Sequence, residues 1–163
     1  MIRAVISALL SLAAVALASV SATADTQPAW DWPLEPPHPI IRPYVAPETP
    51  YSAGHRGIDI GAASSAEVRA PTAGIVHFTG VVVDRPVLSL LHPGGLITSY
   101  EPVISSLARG DQVQRGEIIG ELQPGHCSAL CLHFGVRLDG QYVSPLNYLG
   151  AVPRAILLPT RKP

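Results

Sequence analysis

Leu132-His133-Phe134-Gly135-Val136-Arg137-Leu138-Asp139-Gly140-Gln141-Tyr142-Val143 reads as a β-hairpin. Leu132 to Arg137 is a short β-rich run of the length a strand takes. Asp139-Gly140 is the dipeptide that a tight hairpin turn favours, and Gln141 to Val143 is the returning strand. The same short β-rich runs recur upstream at Glu67 to Ala70, Gly74 to Val83, Val87 to Leu91, Leu96 to Tyr100 and Ile118 to Leu122. Gly110-Asp111 and Arg115-Gly116 frame a short Gln112-Val113 segment, and no long amphipathic helix intervenes. These spacings predict an all-β, mostly antiparallel domain made of hairpins.

The beginning of the 163-residue chain has a different character. Met1-Ile2-Arg3 leads into an apolar run from Ala4 to Val20, broken only by Ser7, Ser11 and Ser19, and then Ala22-Thr23-Ala24. A positive start, a short apolar stretch and an A-x-A site read as a secretory signal peptide over residues 1–24, with the mature protein outside the cytoplasm and without a permanent membrane span. Removing Arg3 takes the formal charge from -1 to -2, since the leader carries one basic residue and no acidic one. Nucleic acid is not an expected partner, because it demands a basic patch. Residues 25–53 form a Pro-rich arm that cannot be helix or central strand. Trp30, Trp32, Ile40, Ile41 and Tyr44 suit an extended arm packed along the domain, and a solvated spacer is the alternative. The domain is expected over 54–150, followed by a tail over 151–163.

Three side chains carry metal chemistry. His55 and Asp59 stand four apart in a Gly-rich turn entering a strand, and His133 lies on the later hairpin strand. Two imidazoles and a carboxylate are a zinc-type donor set, and three protein ligands leave a fourth position for water. Singly, each has a plainer explanation as a loop or turn residue.

Gly54-His55-Arg56-Gly57-Ile58-Asp59-Ile60 resembles the first metal motif of the lysostaphin/LytM-type zinc endopeptidases, which cut peptide bridges in bacterial peptidoglycan. The resemblance continues through Val68 to Val76, Gly110 to Gly120, Leu132-His133-Phe134 and Gly140 to Leu149. It implies a LytM-type β domain and one Zn2+ held by His55, Asp59 and His133. It also implies action on peptidoglycan peptides in the cell envelope.

Two positions depart from that family. A Thr-x-Tyr-x-His run is replaced by Thr98-Ser99-Tyr100-Glu101-Pro102, and the first histidine of His-x-His is Cys131. Both lost imidazoles would have served proton transfer or oxyanion stabilisation, which typically contribute about 10² to 10⁴ in rate. His126, in Gly125-His126-Cys127, is the candidate catalytic substitute, with Glu101 a second. The alternative function is a catalytically degenerate relative that binds peptidoglycan or regulates a cell-wall hydrolase or division partner.

Cys127 and Cys131 are the only cysteines. In an oxidising compartment a disulfide between them is expected. Strand alternation puts residues 131 and 133 on one face, so Cys131 as a thiolate ligand closing the metal site, or as a free thiol, are the other readings. His92-Pro93-Gly94-Gly95 reads as turn chemistry, and His77 as a strand residue facing water. Ala70-Pro71-x-x-Gly74 and Gly110-Asp111-x-Val113-x-x-Gly116 also resemble biotinyl and lipoyl carrier domains, but the sole lysine, Lys162, excludes cofactor attachment at a hairpin tip.

Overall fold

A computed structural model describes residues 30–49, 51–62 and 66–150. The signal-peptide and tail readings lie outside them. Eleven strands form: β1 (Ile40–Arg42), β2 (Gly57–Gly61), β3 (Glu67–Arg69), β4 (Gly74–Val82), β5 (Arg85–Leu91), β6 (Ile97–Glu101), β7 (Val103–Ile104), β8 (Gln112–Val113), β9 (Ile118–Leu122), β10 (Cys131–Leu138) and β11 (Gln141–Val143). Two 3-10 turns, Pro93–Gly95 and Pro145–Asn147, are the only helical elements among the described residues. All strand pairs are antiparallel. The domain is all-β, as its short β-rich runs predict.

The large sheet runs β1-β2-β10-β6-β5-β4-β8, and β3-β9-β7 make a small second sheet. β10 is the hub. β2 and β11 share one of its sides, covering Cys131 to Gly135 and Val136 to Leu138 respectively, while β6 takes the other. Asp139 and Gly140 both have positive φ, 49° and 78°, the backbone that an Asp-Gly turn adopts to join twisted strands.

Strand alternation sorts the side chains. Ile58, Ile60, Leu88, Leu90, Tyr100, Leu132, Phe134 and Val136 point to one face of the large sheet and meet Val68, Val103, Ile119 and Leu122 of the small sheet in a continuous core. The intervening residues, Asp59, Glu101 and His133 among them, must then project from the opposite face. That face carries the site.

The Pro-rich arm lies against the domain. Its β1 pairs with β2, Ile40 opposite Ile60 and Arg42 opposite Asp59. Trp30 is buried, stacked on Tyr148 with ring centroids 4.8 Å apart. The prolines confine β1 to three residues at the sheet edge, where a missing N–H breaks no internal ladder.

Trp30 also covers His92, at 5.1 Å between ring centroids. The turn expected at His92-Pro93-Gly94-Gly95 forms, yet the His92 ring points inward and is buried. Its Nδ1–H donates to the Ala73 carbonyl at 2.8 Å, and its Nε2 lies 2.7 Å from Thr98 Oγ1, itself 2.9 Å from the Tyr100 hydroxyl. Burial pushes the His92 pKa below the usual histidine value, against the raising effect of the Ala73 carbonyl. The unfolded chain therefore binds this proton first, and the fold loses stability as pH falls below about 6.5 toward the lower folded value. His92→Gln, measured by urea unfolding with a metal chelator present, should show a shallower loss of stability across that window than wild type. Equal slopes would mean that this ring is not the group being titrated.

Candidate metal centre

The register places the site. On β10, His133 stands opposite Asp59 of β2 on one side and Glu101 of β6 on the other, so all three project abreast from the outer face. His55 precedes β2 and is fixed by the arm: the two backbone hydrogen bonds of the Val45–His55 bridge are 3.0 and 2.8 Å long. The His55 Nδ1–H donates to the Pro43 carbonyl at 2.7 Å, which leaves the Nε2 lone pair facing Asp59 and His133.

Asp59 Oδ1 is the centre of the cluster. It lies 2.7 Å from His133 Nδ1, 3.1 Å from His55 Nε2 and 3.2 Å from His126 Nε2. His55 Nε2 and His133 Nδ1 are 3.2 Å apart. One ligand atom from each of the four residues falls within 4.8 Å of the other three. His55 and Asp59 are buried, and His126 and His133 are partly so. Burial lowers the His133 pKa, the Asp59 contact opposes this, and the neighbouring His126 and His55 add to the lowering. The lowering favours the neutral ring, the form in which a nitrogen lone pair can bind a metal.

These distances suit an ion. Bonds of about 2.0–2.1 Å in tetrahedral array separate ligand atoms by roughly 3.3 Å, close to the contacts around Asp59. Three imidazoles and one carboxylate, with no lysine or arginine nitrogen among the four, also match a divalent metal in charge and donor type.

Gly57 makes room for the His133 ring. A Cβ there would lie 2.8 Å from the ring atoms Cε1 and Nε2 and 2.5 Å from the Phe134 carbonyl oxygen. Gly57→Ala is accordingly expected to displace His133 and weaken metal binding about tenfold or more, read by chelator competition. Unchanged affinity would show that the ring can tilt without leaving the cluster.

The remaining candidates fall as follows. Cys127 and Cys131 are joined as a disulfide, so neither offers a thiolate to the centre. Tyr100 is fully buried beside Phe134, on the core face, and burial drives its hydroxyl pKa far up. Pro102 is buried and brings no donor. His126 is brought directly to the cluster, its Nδ1 3.2 Å from Glu101 Oε1. Sequence reasoning gave the Glu101 carboxylate only a passing place, yet it pairs with Arg85 at 2.9 Å and flanks the centre. A groove of about 560 Å³ opens beside His133 and Glu101, lined further by Arg56, His77, Phe78, Arg137 and Tyr142. His77 thus faces a groove and not open water.

Residues 53–145 match the model of Peptidase family M23. The chain belongs to that family. The His/Asp cluster and the groove sit within the matched M23 region. The uncharacterized protein Rv2891 of Mycobacterium tuberculosis (strain ATCC 25618 / H37Rv) is 40% identical over 129 residues, covering 75% of this chain and 52% of that protein. Murein hydrolase activator NlpD of Salmonella typhimurium is 28% identical over 135 residues, covering 81% of this chain and 34% of its own length. The chain thus spans about half, or less, of the curated relatives it matches. Among solved structures, the catalytic domain of the antimicrobial peptidase lysostaphin from Staphylococcus simulans superposes with a TM-score of 0.61 at 20% identity, over 69% of this chain and 92% of that one. That likeness speaks for the LytM-type fold. No helix among the described residues is long and apolar enough to cross a membrane.

Proposed function

We propose that this M23 protein is a zinc metalloendopeptidase of the cell envelope, acting on the peptide part of peptidoglycan. The observation that carries the reading is the convergence of His55, Asp59 and His133 on one point at the edge of the groove. When bound, zinc supplies Lewis-acid polarisation of a peptide carbonyl and makes water a nucleophile at neutral pH. The residues around it have separable tasks. The Pro43 carbonyl sets the His55 tautomer, and Asp59 contributes the negative charge. The groove beside His133 is of a size to receive an extended peptide. The 3.2 Å contact of His126 Nε2 with Asp59 Oδ1 supports a proton-moving role for His126, a task for which Pro102 and the disulfide-bonded Cys131 offer nothing.

Those same two positions favour a second reading, a zinc-holding domain that recognises peptidoglycan and activates a partner hydrolase. The name of the NlpD relatives, murein hydrolase activators, is of that kind. One experiment separates the two. The mature protein and its His133→Ala variant are purified without added metal, assayed for zinc, and incubated with peptidoglycan sacculi. About one equivalent of zinc in wild type, lost in the variant together with release of soluble peptides, is the expected result. Zinc without peptide release selects the second reading, and a metal-free wild type that stays so when zinc is supplied overturns both.

A further inference from the structure

We infer that His126 is a fourth protein ligand of the resting metal centre, held in place by Glu101 and by the Cys127–Cys131 disulfide, so that the centre is closed until the 123–130 loop moves aside. The inference rests on the zinc reading above and adds a means of regulating the same site.

Geometry carries the first part. His126 Nε2 lies 3.2 Å from Asp59 Oδ1, matching the 3.1 Å of His55 Nε2, and its ring centroid is 4.8 Å from that of His133. A second-site ligand or a solvent-facing loop histidine would not converge on the same carboxylate oxygen as the two other imidazoles. Four protein donors distinguish a closed zinc site from an open one, which has three.

The other ring nitrogen supports the assignment. His126 Nδ1 is 3.2 Å from Glu101 Oε1 and 3.0 Å from Arg85 Nη1. A guanidinium can only donate, so pairing with Arg85 requires the proton on Nε2, turned toward Asp59. With Nε2 giving its lone pair to a metal, the proton must sit on Nδ1, and Glu101 accepts it while remaining paired with Arg85. A carboxylate behind a ligating imidazole fixes the tautomer and raises its basicity. Glu101 is therefore a positioning residue.

The disulfide supplies the tether. Cys127 follows His126 directly, and Cys131 is the first residue of β10, opposite Gly61 and two residues before His133. The bond ties the histidine to the ligand strand itself. Movement of the loop would uncover the fourth position to the groove and free the imidazole to serve there as a proton carrier.

The test uses the mature protein loaded with cobalt(II) or zinc, as wild type, His126→Ala, His133→Ala, Cys127→Ser/Cys131→Ser and the triple variant combining the cysteine changes with His126→Ala. Acetohydroxamate is added to the cobalt forms and the visible spectrum followed. Wild type should be unresponsive and His126→Ala responsive, because only the latter has an open position. Zinc affinity by chelator competition should fall about 100-fold in His126→Ala, less in the cysteine variant, and no further in the triple variant than in His126→Ala. Equal hydroxamate response and equal affinity in wild type and His126→Ala would overturn the fourth-ligand assignment while metal loss in His133→Ala left the zinc reading standing. Additive losses in the triple variant would overturn the tethering role. No metal in wild type would remove the zinc reading and, with it, this inference.

Discussion

Asp59→Asn is expected to cut zinc affinity at least about 100-fold, two factors of ten or roughly 2.8 kcal/mol. Partners outside the coordination shell already cost up to about that much when removed, and under the proposed zinc reading Asp59 would lie inside it. The substitution keeps the side chain's size but removes its charge, and it is the only carboxylate of the cluster, with an oxygen within 3.2 Å of three imidazole nitrogens. Without it three neutral rings would face a divalent cation with no counter-charge. The affinities can be compared by chelator competition on the two purified proteins. Retention of wild-type affinity would mean that the metal sits elsewhere.

Phe134→Ala should cost about 3–5 kcal/mol of unfolding free energy, measured by urea titration in chelator. Phe134 is fully buried at the middle of β10, packs against Tyr100 with centroids 5.4 Å apart, and is paired in register with Ile58 and Tyr100. Its inward ring and the outward His133 are consequences of one strand alternation, so the packing that stabilises the domain also aims the ligand. Val143→Ala is the matching control, since that residue is only half-buried on the short β11. Its loss should be well below that of Phe134→Ala, and comparable losses would refute the assignment of β10 as the hub.

Much of the fold was legible because short β-rich runs recur between Gly and Pro and Asp139-Gly140 marks the turn after β10. His55, Asp59 and His133 were legible through their motif resemblance, and the sheet register explains why the last two meet. β1 was not legible as a strand: its three residues are all exposed and show no alternation, so only pairing with β2 defines it. The support of His55 by the arm was equally hidden, because it runs through the Pro43 backbone carbonyl and not through a side chain. His92 misled for another reason. A histidine before Pro-Gly-Gly signals a turn, but its ring direction depends on Trp30 and Ala73, both distant in sequence. For His126, its place five residues before Cys131 pointed to a role, and the path of the loop supplied what no spacing could.

The arm strand has one more effect. β1 ends the large sheet with only three residues between Pro39 and Pro43, β8 ends it on the other side with two, and the outer strands of the small sheet, β3 and β7, have three and two. At the β1 end, a three-residue strand held between prolines leaves little unpaired backbone for a second copy to zip against. Polymerisation through that edge, a usual hazard of an all-β protein at high local concentration, is thereby discouraged by the same segment that holds His55 in place.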